Sequence, residues 1–147
     1  MLISQKKIDE LIPASYNPRK ISKIDYERLK RSIKELGYVE PVIWNKTSGH
    51  VVGGHQRLKV LKELGYDEVD CVVVELDDDK ERALNIALNK ISGMWDQGKL
   101  FEVLGKLDDV KFDIELTGFR PLDISEHKFN LDMHYGGDGG NLSLHVK

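Results

Sequence analysis

The sequence predicts an α/β (α+β) domain in which helices flank a small mixed β-sheet, followed by a short helical C-terminal extension. Apolar residues recur at helical spacing in some segments and form short strand-like runs in others, in the order β-α-β-β-α-β-α-α. Glycines and polar turns separate these segments. With 40% hydrophobic and 32% charged residues among 147, the chain can build a real core without a disulfide or a metal.

The individual elements follow from these periodicities. Strands are expected at residues 6–13, 39–44, 50–52 and 68–76, and helices at residues 23–36, 55–64, 80–91 and 98–107. Ser22 is the expected N-cap of the first helix, whose core-facing side chains should be Ile24, Leu29, Ile33 and Leu36. Residues 112–119 are expected to be extended or to form a turn.

The chain is expected to divide into a core over residues 1–93, a helical extension over 94–132 and a flexible tail over 133–147. The run Gly136-Gly137-Asp138-Gly139-Gly140 is the reason for the predicted tail. No apolar run is long enough to cross a bilayer, and the first residues lack the apolar stretch of a secretion signal. We therefore expect a cytoplasmic protein with no membrane partner.

Three smaller features have an ordinary structural explanation. The single cysteine, Cys71, lies in a strand-like run and is expected to be a core residue. The acidic run at residues 77–79 is expected to begin a helix, because carboxylates favour the positive end of a helix dipole. His127, His134 and His145 have no spacing typical of a zinc site.

Charge is distributed unevenly along the chain. Residues 1–69 carry 13 Lys or Arg against 9 Asp or Glu, whereas residues 70–147 carry 9 against 16. The first half can attract phosphate groups, while the second half would repel a nucleic-acid backbone. Lys and Arg in the first helix are interleaved with glutamates, which favours a solvated helix face, so any DNA binding is expected to be weak.

The run Val52-Gly53-Gly54-His55-Gln56-Arg57 lies between a predicted strand and a predicted helix. Glycines let the backbone approach a ligand, and the first amides of a helix attract anions such as phosphate. Arg57 can add a bidentate contact. From spacing alone the run is either such a phosphate site or a tight turn in which the glycines serve geometry only.

Further along, Asn85 and Asn89 are one helical turn apart and project from the same face. Both are either exposed or hydrogen-bonded, because buried amides require partners.

These motifs together resemble the ParB/sulfiredoxin-like superfamily. Besides the glycine run, Asn17-Pro18-Arg19, the segment 83–90 with Trp95, and Leu116-Thr117-Gly118-Phe119 are similar to phage and plasmid ParB-like proteins, including the type labelled ParB-like nuclease. The resemblance covers roughly residues 5–120. It implies a ParB/sulfiredoxin-like fold with a nucleotide-binding core, and a DNA-linked role such as partition, modification or regulation in a phage or mobile element.

The resemblance also implies a ligand and the residues that bind it. The ligand would be a nucleoside triphosphate, CTP or ATP, with Mg²⁺. The phosphate-binding residues would be Asn17, Arg19, Gly53, Gly54, His55, Gln56, Arg57, Asn89 and Lys90. Asn89 would also be a ligand of the metal.

At three positions the chain departs from the pattern. His55 stands where sulfiredoxins have their nucleophilic cysteine, so sulfinic-acid reduction is not expected. Gly53 stands where the related free-serine kinases have an acid, and Leu88 replaces the glutamate of the Glu-Asn pair that helps hold the metal in ParB proteins.

Two alternatives to simple nucleotide binding therefore remain open. One is an enzyme, either an NTPase, a nuclease or a small-molecule phosphotransferase, in which His55 is the candidate acid/base because its pKa can lie near neutrality. The other is a non-catalytic module that recruits a DNA methyltransferase or another phage or plasmid protein, for which the acidic second half is suited. A homodimer is compatible with each of them.

Overall fold

The structure, a computed structural model, describes residues 1–91 and 94–126. The elements of the first part are β1 (Leu2–Lys7), a 3-10 helix (Ile8–Glu10), β2 (Ile12–Pro13), α1 (Lys23–Leu36), β3 (Val42–Asn45), β4 (His50–Gly53), α2 (His55–Glu63), β5 (Glu68–Val74) and α3 (Asp78–Lys90). They are followed by α4 (Gln97–Asp109) and a second 3-10 helix (Ile114–Thr117). The predicted tail and the three C-terminal histidines lie outside the described residues.

Five strands form one mixed sheet in the order β1-β5-β3-β4-β2. The outer pair β1/β5 and the hairpin β3/β4 are antiparallel, whereas β3/β5 and β2/β4 are parallel. The predicted fold class is therefore confirmed. The last residue of β4, Gly53, pairs with Ile43 of β3, and Gly54 alone separates it from α2.

The core lies between this sheet and the helices α1 and α2. Most of its fully buried members are apolar residues of the three central strands and of α2, including Leu58, Leu61, Val42, Val51 and Cys71. Burial raises the pKa of the Cys71 thiol, whose Sγ donates a hydrogen bond to the carbonyl of Ser4. Cys71 is thus a core residue, as expected.

Two of the sequence predictions for this part are wrong. The expected strand over residues 6–13 is broken by the 3-10 helix, whose first amide, Ile8 N–H, bonds to the carbonyl of Asp67, 2.9 Å away. Pairing with β5 instead begins at Leu2. In α1, Ile24 and Leu36 are exposed, because the buried side of this helix runs through Tyr26 and Ile33.

The predicted helix starts are observed where side chains cap free amides. Ser22 Oγ accepts a hydrogen bond from Asp25 N–H at 3.1 Å, and Asp77 Oδ1 accepts one from Lys80 N–H at 2.9 Å. The acidic run 77–79 therefore begins α3, as expected from the charge pattern.

A second compact unit begins at residue 94, after the unit that spans residues 1–93. Its core consists of apolar residues from α4, the second 3-10 helix and the segment after it, namely Phe101, Leu104, Ile114, Phe119 and Ile124. Trp95 meets Phe119 edge to face at a centroid distance of 5.7 Å. In the part of the chain that the structure describes, no helix has the length and apolar character needed to span a membrane.

Candidate phosphate-binding pocket

The junction between β4 and α2 is built by two adjacent glycines. Gly53 ends the strand, and Gly54 takes a left-handed conformation with φ of 88° at the N-cap of α2. The first amide bonded within the helix is Leu58 N–H, which donates to the carbonyl of Gly54 at 2.9 Å. The preceding amides at residues 55–57 have no intrahelical acceptor, so the helix start presents N–H groups to an anion.

The guanidinium of Arg57 folds back over this junction. A Cβ atom placed on Gly54 would lie 2.8 Å from Arg57 Nη2 and 3.1 Å from Cζ. Any side chain at residue 54 would therefore displace the guanidinium as well as strain the backbone. The glycine is required here for a close approach and for a positive φ at the same time.

Arg57 is held from the other side by the segment before β3. Its Nη2 donates to the carbonyl of Pro41 at 3.2 Å, and its Nη1 lies 3.6 Å from the carboxylate of Glu40. The third nitrogen, Nε, is buried and has no hydrogen-bond partner. A buried N–H without an acceptor is costly, so a ligand oxygen that reached this atom would stabilise the site.

A pocket of about 550 Å³ opens at this junction. Eight of the residues predicted for the phosphate site line it: Asn17, Arg19, Gly53, Gly54, His55, Gln56, Arg57 and Asn89. The ninth, Lys90, is exposed and is not among the described residues that line the pocket. Apolar side chains complete the walls, among them Ile21, Leu29, Ile43, Val72 and Leu88.

Arg19 and Asn89 reach the pocket from different elements. Arg19 lies in the connection between β2 and α1, and Asn89 lies in the last turn of α3. Arg19 Nη1 is 3.5 Å from Asn89 Oδ1, at the outer limit of a hydrogen bond. The contact places a second guanidinium at the pocket, although the two residues are 70 positions apart in the sequence.

The side chain of His55 fixes the start of α2 through a hydrogen bond. Its Nε2 accepts a hydrogen bond from Ala14 N–H at 3.2 Å, which ties the start of α2 to the segment after β2. Burial lowers the pKa of His55, and a backbone hydrogen bond with Val51 opposes this only in part. An acceptor at Nε2 and a lowered pKa both describe a neutral imidazole.

Asn85 does not line the pocket but is buried against two residues that do, Asn17 and Val52. Its side chain is 1% exposed, and its Nδ2 donates to the carbonyl of Val52 at 3.0 Å and to Asn17 Oδ1 at 3.2 Å. Its Oδ1 has no hydrogen-bond partner. Of the two alternatives for the amide pair on α3, burial with hydrogen bonds is therefore correct for Asn85.

A polar cluster that sequence reasoning missed lies at the other end of β4, around Glu81. This carboxylate is 2% exposed and accepts hydrogen bonds from Tyr16 Oη at 2.6 Å, from Asn45 Nδ2 at 2.8 Å and from Ser48 Oγ. His50 Nδ1 is 3.1 Å from its second oxygen. We call these five side chains the Glu81 cluster.

Hydrogen bonding controls the ionisation of the Glu81 cluster. Burial alone would raise the pKa of Glu81, but hydrogen bonds from its four partners outweigh burial and lower the pKa from 4.5 to about 2. Burial and the nearby carboxylate together raise the pKa of Tyr16 to about 12. The carboxylate is therefore charged and fully hydrogen-bonded, and it holds the backbone just before Asn17.

Glu81, Asn85 and Asn89 follow one another at intervals of four residues along α3. They form one polar stripe that runs beside β4, from the contact with His50 to the carbonyl of Val52 and the pocket. The four-residue spacing was the available signal in the sequence. Extending the Asn85–Asn89 pair back by one turn would have found Glu81.

Comparison with known proteins agrees with this fold. The ParB N-terminal domain family matches residues 2–90, and the chain belongs to this family. A probable chromosome-partitioning protein ParB of Helicobacter pylori is 34% identical over 85 residues, which cover 56% of this chain and 29% of that protein. The ParB-like nuclease domain-containing protein YnaK of Escherichia coli is 30% identical over 82 residues, which cover 54% of this chain and 93% of that protein.

Among solved structures, the chain is similar to a C-terminally truncated chromosome-partitioning protein ParB from Caulobacter crescentus. In its complex with CTP-gamma-S the TM-score is 0.62 at 19% identity, covering 95% of this chain and 89% of that one. In its complex with the centromeric parS site the TM-score is 0.50 at 18% identity, covering 83% and 68%. At these identities the similarity shows a common fold.

Proposed function

We propose that this chain is a ParB-like domain that binds nucleotide phosphates at the β4–α2 junction. The observation that carries the proposal is the Arg57 side chain, whose buried Nε lacks a partner beside the free amides at residues 55–57. Phosphate oxygens would accept hydrogen bonds from both sets of donors. The left-handed Gly54 allows the guanidinium and the amides to converge on one ligand.

The identity of the nucleotide rests on the comparisons. The Caulobacter protein is bound to CTP-gamma-S, so a nucleoside triphosphate is the first candidate, with CTP preferred and ATP second. Arg19, Asn17 and Asn89 would contact the phosphates from the far wall of the pocket. The apolar walls would receive the less polar parts of the nucleotide.

A DNA-linked role such as partition, modification or regulation is part of the same proposal. It is supported by the chromosome-partitioning relative and by the parS complex of the Caulobacter protein. A phage or plasmid origin, a methyltransferase or other partner protein, a homodimer and a cytoplasmic location remain predictions. The Helicobacter match covers 29% of that relative, so the activity of the whole relative is a proposal for this chain.

A thermal-shift panel with CTP, ATP, GTP and UTP tests nucleotide binding. A ligand at roughly one hundred times its Kd would stabilise the fold by about 2.7 kcal/mol. Arg57→Ala should abolish the shift, because it removes the guanidinium from the pocket. Lys46→Ala is the matched control. This exposed lysine lies between β3 and β4, pairs with Glu75 and does not line the pocket.

Two results would contradict the proposal. One is the absence of a shift with all four nucleotides under conditions in which the protein is folded. The other is a shift that Arg57→Ala leaves intact, because binding would then occur elsewhere on the molecule.

A nuclease is a second candidate, favoured by the name of the Escherichia coli relative, and a phosphotransferase remains a prediction. His55 is the group to test, although its Nε2 already accepts the bond from Ala14 and would have to release it to act as a base. Release of phosphate from a nucleotide, or nicking of DNA, should then disappear in His55→Gln. Purified protein that does neither would remove this candidate.

A further inference from the structure

Leu88 lines the pocket beside Asn89, at a position where a bound cation would need an oxygen ligand. A Cβ atom placed on Gly53 would lie 3.0 Å from Leu88 Cδ1, so this methyl group covers the end of β4. Leu88 is 39% exposed and lines the pocket. The last turn of α3 thus presents a hydrocarbon to the ligand at this point.

Three side-chain oxygen donors of the pocket, on Glu40, Asn17 and Asn89, already face N–H groups. Mg²⁺ takes oxygen ligands in a strict geometry and is usually anchored by one or two carboxylates. Glu40 carries the one carboxylate among the described lining residues. Its side chain is 75% exposed and lies 3.6 Å from Arg57 Nη1. The amide oxygens of Asn17 and Asn89 face Asn85 Nδ2 and Arg19 Nη1. A cation at any of these oxygens would compete with a donor, and twice with a guanidinium.

The described residues contain no group of three His, Cys, Asp or Glu side chains that could hold a metal ion. The donor set therefore does not fit a divalent ion anchored by the protein. The positive charge available to phosphates comes instead from Arg19, from Arg57 and from the start of α2.

We propose that this pocket binds the phosphates of its nucleotide without a divalent cation. Arg19 and Arg57 supply the charge that a metal would supply, and the buried Nε of Arg57 gains the acceptor that it lacks. The Mg²⁺ that the family resemblance implies, and Asn89 as its ligand, are not needed for this binding. The inference rests on the proposed nucleotide site and concerns how that site neutralises its ligand.

Calorimetric titration of the whole chain with CTP and ATP, in excess EDTA and in excess magnesium, separates the outcomes. Metal-free binding predicts that the Kd in EDTA is within about threefold of the Kd in magnesium. Binding in magnesium that is lost in EDTA would overturn this inference and leave the proposed nucleotide site standing. Absence of binding in both buffers would instead refute the nucleotide site, and this inference with it.

Leu88→Glu sharpens the test, because it places a carboxylate beside Asn89 on a partly exposed residue. Repulsion between like charges should weaken binding in EDTA at least about tenfold, and magnesium should restore it. Leu88→Gln is the matched control, with the same side-chain length and no charge, and its affinity should not depend on magnesium. A Kd of Leu88→Gln that rises more than about threefold in EDTA would overturn the inference, because binding would then need the metal without any added carboxylate.

Discussion

The two ends of β4, a strand of only four residues, have opposite chemistry. At His50 the strand meets the Glu81 cluster, in which one buried carboxylate accepts hydrogen bonds from four side chains. At Gly53 it meets the pocket, where Arg57 Nε is buried without a partner. Satisfied buried polar groups stabilise a fold, whereas unsatisfied ones cost free energy unless a ligand completes them. The difference indicates that the His50 end holds the domain together, and it supports the proposal that nucleotide binds at the Gly53 end.

α3 connects these two ends and belongs to both. Glu81 lies near the start of the helix in the fully hydrogen-bonded Glu81 cluster, and Asn89 lies near its end in the pocket. Asn85, between them, has a satisfied Nδ2 and an unpartnered Oδ1. The polar stripe therefore runs from the fully hydrogen-bonded cluster to the proposed binding pocket within about two helical turns.

The largest expected effect is on folding, from Glu81→Ala. Removing the carboxylate leaves the hydroxyls of Tyr16 and Ser48 and the imidazole of His50 without their buried acceptor. We expect the free energy of unfolding to fall by about 4 kcal/mol, measured by urea denaturation.

Glu75→Ala is the control for this prediction. Glu75 pairs with Lys46 at 3.7 Å, but both side chains are largely exposed, Glu75 to 70% and Lys46 to 66%. Its loss should change stability by less than about 0.5 kcal/mol. A similar small change for Glu81→Ala would show that the cluster does not stabilise the fold.

Acid should lower the free energy of unfolding through the same cluster, by slightly less than Glu81→Ala does. The pKa of Glu81 is about 2 in the folded chain, below its ordinary value of 4.5, so protonation favours the unfolded state. The stabilising contribution is complete above about pH 4.5 and is lost as the pH falls toward 2, a change of about 3 kcal/mol. Urea denaturation across this window should show the loss in the native protein.

Glu81→Gln separates this contribution from those of other carboxyl groups, because it removes the titrating group and keeps the side-chain length. Its unfolding free energy should depend less on pH between 4.5 and 2 than that of the native protein. Equal pH dependence in the two proteins would assign the acid sensitivity to other carboxyl groups.

The contrast between the two ends also explains what could be predicted from the sequence. The glycine junction of the pocket is local, because Gly53, Gly54 and Arg57 are within five consecutive residues and helix geometry alone places the free amides beside them. Arg19 and Asn89 come from distant segments of the chain, and only the family resemblance pointed to them. The Glu81 cluster is long-range, since Tyr16 and Glu81 are 65 positions apart. No local period reports such a contact, so only the four-residue spacing on α3 could have pointed to it.

The wrong predictions have similar causes. Residues 6–13 alternate weakly, and the hydrogen bond from Ile8 to Asp67 that breaks the predicted strand comes from a distant segment. The exposed Ile24 shows that apolar residues at helical spacing do not all lie on the buried face. Lys90 is a different case: its side chain is exposed and adjacent helix residues point in different directions, and its contact with phosphate stays a prediction.

The smallest expected effect compares two glycines that flank β4. Gly49 precedes the strand with φ of 81°, and Gly54 follows it with φ of 88°. Alanine in this left-handed region costs about 1 kcal/mol, so Gly49→Ala and Gly54→Ala should lose similar stability in urea denaturation. They differ in their surroundings, because a Cβ at Gly49 meets nothing within 4 Å, whereas one at Gly54 meets the Arg57 guanidinium at 2.8 Å.

This pair separates backbone strain from ligand binding. Gly54→Ala must displace Arg57 from the junction, so its nucleotide affinity should fall about tenfold, while that of Gly49→Ala should match the native protein in the same titration. Equal affinities for the two variants would mean that the position of the guanidinium does not matter for binding. A loss of nucleotide affinity confined to Gly54→Ala would place the ligand at the Gly53 end of β4. The reason is that the two substitutions strain the backbone alike, and only Gly54→Ala moves Arg57.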